Sequence, residues 1–166
     1  MNILNIVKNL KISLFKKENI YFAIFIFFIF ILDRHSKNQI IYNYNENLIF
    51  INEYLNFDLI WNTGIGFGLF SSNSEVFYNF VTLLIGSVIL VLTYISLNLD
   101  KLDKIIYCLI IGGAIGNFYD RLKFKAVPDF IDLHYNSFHW FTFNVADIFI
   151  SVGIIAFILR SFFVKN

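Results

Sequence analysis

Apolar residues fall into four long runs along this chain, and three of the four break against polar residues at one end. Val76–Leu97 is 22 residues without a charge, enough to cross a hydrocarbon core of about 30 Å as a helix. Ile20–Leu32 is an Ile/Phe run that meets Asp33, His35 and Lys37. Ile105–Tyr119 meets Asp120 and Arg121, and Ile148–Leu159 is preceded by Asn144 and Asp147. Each shorter run spans only if its helix includes those polar residues. The pattern predicts transmembrane helices over about 19–38, 76–97, 104–122 and 144–163.

The segments between the runs differ in character. Residues 98–103 are long enough only for a tight turn. Residues 39–75 contain a strand-like alternation, with Leu55, Phe57, Leu59 and Trp61 in one set, followed by Gly64, Gly66 and Gly68. Residues 123–143 form a second segment on the same side, with His134, Tyr135, His139 and Trp140. A small sheet at one membrane surface is expected from these two segments. Residues 3–15 place Ile3, Ile6, Val7, Leu10 and Leu14 on one stripe, the pattern of a helix lying in the interface. The first apolar run has a basic start but no small-residue cleavage site after it, so it is read as a retained helix. The whole chain, 1–166, reads as one membrane domain: an all-α core of four spanning helices with a small β-sheet cradle and loop outside.

Composition agrees with this picture. The chain is 58% hydrophobic and only 15% charged, against roughly 25% charged in soluble domains. A net charge of +1 gives no footprint for nucleic acid, and a single Cys rules out a disulfide framework. Lys and Arg orient the bundle. Eight stand on one side (Lys8, Lys11, Lys16, Lys17, Lys101, Lys104, Arg160, Lys165) and five on the other (Arg34, Lys37, Arg121, Lys123, Lys125). The positive-inside rule therefore places both termini in the cytoplasm.

With that topology, three helices of differing direction carry their intruding polar residues to the same outer end. Charges within a span cost about 2.5–3.5 kcal/mol each at the centre and less near the interface, so their convergence marks a candidate site. Asp33 and Lys37 share a helix face, as do Asn144 and Asp147, and Asn117 precedes Asp120 by three residues. Gly112 and Gly116 form a small-xxx-small pair suited to close helix approach. Several chemistries fit poorly. His35 stands alone and no Cys/His ligand pattern exists, so no metal is expected. Ser36 and Lys37 are adjacent and point in different directions, and Cys108 lies mid-span among Ile and Leu. Gly64–Gly68 lacks the Lys of a phosphate loop. Carboxylates remain. Two neighbouring Asp residues can share a proton, one activating water while the other donates toward a carbonyl oxygen. Asp33, Asp120, Asp129, Asp132 and Asp147 are candidates, and spacing alone does not choose among them. Asp129 and Asp147 lack an adjacent cation in sequence. A small proton-coupled carrier or channel subunit is the alternative, but it would place carboxylates at mid-membrane or on both sides.

The residues DRHSK at 33–37, NTGIGFGLF at 62–70, GGAIGNFYDRL at 112–122, VPDF at 127–130 and FNVAD at 143–147 stand in this order along the chain. In them the sequence resembles the lipoprotein signal peptidases, the type II signal peptidases of bacterial membranes. The resemblance implies an aspartic endopeptidase of the bacterial cytoplasmic (inner) membrane, without a cofactor, with Asp129 and Asp147 as the catalytic pair. It also implies supporting roles for Asp33, Lys37, Asn62, Gly64, Asn117, Arg121 and Asn144. Substrates would be prolipoproteins carrying diacylglyceryl on the lipobox Cys, cut just before that Cys at the outer face, with membrane lipids as surroundings and a monomer as the acting unit. Globomycin would inhibit it. Two departures from the family pattern are Pro128 and the pair Ile65-Gly66.

Overall fold

In the computed structural model, residues 16–43, 48–64 and 75–163 are described. The stripe at 3–15 and the glycines at 66 and 68 lie outside them. Among the described residues four helices are long and apolar enough to cross a membrane: α1 (Lys17–Asn43), α2 (Glu75–Ser96), α3 (Lys101–Phe124) and α4 (Val145–Phe163). The strands are β1 (Ile49–Asn52), β2 (Leu55–Asn62), β3 (Val127–Tyr135) and β4 (Phe138–Phe143). They form one antiparallel sheet in the order β1-β2-β3-β4. Strand β1 follows α1 and β3 follows α3, while β4 runs straight into α4. The sheet therefore sits at the bundle end where α1 and α3 finish and α4 begins.

Local sequence explains most boundaries. Asp100 caps α3, its carboxylate accepting the Asp103 amide at 2.9 Å. Asn136 turns the β3–β4 hairpin with φ of 53°, a left-handed value that Asn tolerates better than most residues. The first helix runs to Asn43 rather than ending near 38. No Gly or Pro interrupts Asn38–Asn43, and Ile40 is buried there, so nothing stops the helix at the polar residues. The fourth helix starts at Val145 because Asn144 is its cap.

Outward faces are apolar, as lipid demands: Leu83, Leu90 and Ile155 are all exposed. The interior is held by close backbone approach. Helix α3 packs between α1 and α4. A Cβ at Gly112 would stand 2.8 Å from Ile29 of α1, and one at Gly116 would stand 2.5 Å from an Asp33 carboxylate oxygen. Gly153 of α4 likewise lies against Ile110. Hydrocarbon solvent offers little drive for helix association, so such contacts carry packing in its place. Substituting Gly112→Val should therefore separate α1 from α3. A destabilisation of about 1–3 kcal/mol is expected for such overpacking, read as a lowered thermal midpoint of the detergent-solubilised protein.

Candidate active site

The α4 N-terminus is built by a reciprocal cap. Asn144 Oδ1 accepts the Asp147 amide at 3.0 Å, and Asp147 Oδ2 accepts the Asn144 amide at 3.1 Å. This satisfies backbone donors that a helix start leaves open. The same Asn144 side chain, fully buried, donates through Nδ2 to Asp129 Oδ1 at 2.6 Å. One residue thus caps α4 and joins two carboxylates from different elements, Asp129 on β3 and Asp147 on α4.

Each carboxylate has a further amide donor. Asn62, the last residue of β2, donates to Asp129 Oδ2 at 2.9 Å, and its own Oδ1 accepts the Gly64 amide at 2.8 Å. The register that opposes Ile60 to Asp129 and Asn62 to Val127 brings them together. Asn117 of α3 donates to Asp147 Oδ1 at 2.8 Å. Asn117 Oδ1 accepts from Lys37 Nζ at 2.8 Å. On the other side the guanidinium of Arg121 donates to the Gly64 carbonyl and lies 5.5 Å from the Tyr78 ring centre. A continuous hydrogen-bonded path therefore runs from Lys37 through Asn117, Asp147, Asn144, Asp129, Asn62 and Gly64 to Arg121. With Asp33 bonded to Lys37, it includes all nine residues singled out from the sequence.

Behind this path lies a buried cluster of four charges. Lys37 Nζ bonds to Asp33 at 2.9 Å and to Asp120 at 2.8 Å. Arg34 pairs with Asp33 at 3.1 Å and with Asp120 at 2.5 Å. Asp33, Lys37 and Asp120 are fully buried. The other oxygen of Asp33 accepts the Ala146 amide at 3.0 Å, so a carboxylate of α1 meets the positive end of α4. Sequence reasoning set Asp120 beside Arg121 and gave Arg34 no role. In the structure Asp120 turns to Arg34 and Lys37, and Arg121 turns to Gly64. The signal was the i,i+3 spacing of Arg34 and Lys37, which brings two cations to one helix face.

Neither Asp129 nor Asp147 has an ion-pair partner among the described residues. Asp129 is 3% exposed. Burial, followed by the nearby charge of Asp147, pushes its carboxyl up to about 6, against the opposing pull of the Asn62 and Asn144 hydrogen bonds. Asp147 is half-buried and borders an apolar groove of about 280 Å³ with Phe141, Phe143, Ile148, Ser151, Val152 and Ile155. Asp132 belongs elsewhere. Strand alternation turns it to the face opposite Asp129, where it meets His139 at 2.8 Å.

These features describe a membrane-spanning protein with a polar centre at the sheet-bearing end of its bundle. A sequence profile of the family described as Signal peptidase (SPase) II matches residues 25–163. The lipoprotein signal peptidase of Pelagibacter ubique is 46% identical over 153 residues, covering 90% of this chain and 92% of its own length. That of Thermodesulfovibrio yellowstonii is 37% identical over 140 residues, covering 84% and 92%. A solved bacterial membrane enzyme structure, determined by the in meso method, superimposes with a TM-score of 0.73 at 25% identity. That match covers 86% of this chain and 87% of the solved one. The chain belongs to the signal peptidase II family, and it is a membrane peptidase.

The charge cluster should behave as a unit. Asp120→Asn leaves two buried cations facing one carboxylate, and breaking such a pair costs about 3–5 kcal/mol. Adding Lys37→Met should restore part of the loss. Thermal midpoints of the single and double variants in detergent check this.

Proposed function

We propose that this peptidase removes signal peptides from prolipoproteins already carrying diacylglyceryl on the lipobox Cys, cutting the bond just before that Cys. The observation that carries the reading is a pair of carboxylates joined through Asn144, each held by amides and neither paired with a cation among the described residues. One is buried and the other borders an apolar groove. That asymmetry favours one shared proton over two full charges.

A water between the two side chains gives its proton to the ionised carboxylate and attacks the scissile carbonyl carbon. The protonated partner donates to the carbonyl oxygen. When the tetrahedral species collapses, the C–N bond breaks and the Cys nitrogen takes a proton from the pair. Asn62, Asn117 and Asn144 keep the two carboxyl groups in register through the bonds described. Arg121 holds the chain after Asn62 through the Gly64 carbonyl, and its buried Nε and one terminal nitrogen have no partner among the described residues. Those donors suit a peptide carbonyl of the substrate. The groove beside Asp147 receives an apolar part of it.

In the sequence, eight of the 13 Lys and Arg residues stand before or at the start of α1, in the first turn of α3, or in or after the last turn of α4. This supports a bacterial inner-membrane orientation with both termini cytoplasmic and the carboxylates near the extracytoplasmic face; 1–166 is proposed to act as one domain and as a monomer. The substrate's lipid anchor would hold its scissile bond at that height. Asp129→Asn and Asp147→Asn, each purified in its folded form, should lower cleavage of a diacylglyceryl-modified prolipoprotein by about 10³-fold or more. Near-normal turnover by either variant would sink the assignment.

A further inference from the structure

A second polar feature lies at the opposite end of the bundle. Helices α1 and α2 scarcely touch there, and α3 forms the floor between them. The resulting cavity holds about 470 Å³. Its walls are mostly apolar, with Ile20, Ala23, Ile24 and Phe27 on α1, while Thr93 and Ser96 line it from α2. At its polar end is Lys104, only 4% exposed. The Lys104 ammonium donates to Asn19 Oδ1 at 2.7 Å, and Asn19 Nδ2 donates to the Leu97 carbonyl at 3.1 Å. The Phe22 ring centre is 5.6 Å from the Lys104 nitrogen.

No carboxylate among the described residues lies within ion-pair distance of Lys104. The two acidic residues nearest in sequence, Asp100 and Asp103, are both held by Arg160 at 3.0 Å. The contrast with the other bundle end is chemical. There, two buried cations meet two buried carboxylates. Here, a buried ammonium has three donors, a neutral amide and an aromatic face. Burying a charge without a counter-charge is costly, and this one borders a cavity that an outside group could enter.

We propose that this cavity is a binding site for one anionic phospholipid, its phosphate against Lys104 and an acyl chain between α1 and α2. Charge and shape choose this occupant together. Basic pockets between transmembrane helices take anionic headgroups, and the walls extend from the cation into the apolar depth of the bundle, as a lipid does. A signal peptide fits worse, because its n-region is basic and would bring like charge to Lys104. The site is separate from the carboxylate pair and does not depend on how that pair acts.

The test uses the purified full chain, delipidated and then equilibrated with phosphatidylglycerol or phosphatidylcholine of identical acyl chains, with retained lipid counted by native mass spectrometry. Wild type should keep one phosphatidylglycerol in preference to phosphatidylcholine by about fivefold or more. Lys104→Met should lose that preference. Ala23→Phe, at a position on α1 that lines the cavity, fills the cavity and keeps the cation, and should lose retention of both lipids while its thermal midpoint stays close to wild type. Equal retention of the two lipids by wild type would overturn the proposal. So would an undiminished preference in Lys104→Met, or displacement of the bound lipid by millimolar inorganic phosphate alone, which would mark a site for free anions.

Discussion

The closure of charge among Asp33, Arg34, Lys37 and Asp120 is the interaction on which the rest of this end of the molecule depends. Two cations and two carboxylates meet inside a membrane bundle, and each is answered by its neighbours. Left singly, any of them would be expensive at that depth. Together they lock α1 to α3, and Asp33 carries the lock to α4 through the Ala146 amide. Gly116 makes room for it, since any larger residue would press on the Asp33 carboxylate.

The closure also decides what the neighbouring carboxylates are. Lys37 is committed to Asp33 and Asp120 and, among the described residues, reaches onward only to the Asn117 oxygen. Asn117 passes the contact to Asp147 as a neutral amide. Asp129 is likewise met by amides, from Asn62 and Asn144. Hydrogen bonds from neutral amides orient a carboxylate and favour its anion less strongly than an ammonium in contact would. The structure thus sets its two buried cations against Asp33 and Asp120 and meets Asp129 and Asp147 with amides. The Asn144 cap ties that arrangement to the start of α4.

Much of this was legible in the residues. One unbroken apolar run and three shorter ones extended by polar residues at one end marked four spans, and the alternation at 55–61 marked β2. The convergence of polar residues at one end followed from helix direction. What sequence could not supply was partner choice across elements. Asp120 and Arg121 are adjacent in the chain yet face different partners, because successive helix residues point about 100° apart and tertiary packing selects among several cations in reach. Asn144 stood out in the sequence as a site residue, and the structure shows that it also caps α4. The end of α1 was placed too early, since polar residues signal a span boundary but not a helix boundary.

A shared proton is the property that separates a working pair from two ordinary carboxylates, and ¹³C-detected titration of Asp-labelled protein in micelles measures it directly. The Asp129 carboxyl is raised by burial and by its neighbour, so it should stay neutral well above the usual range. It should lose its proton only as pH climbs through about 6, and Asp147→Asn should bring that transition down. Titration of Asp129 near the ordinary carboxylate value of about 4, unchanged by Asp147→Asn, would contradict the account.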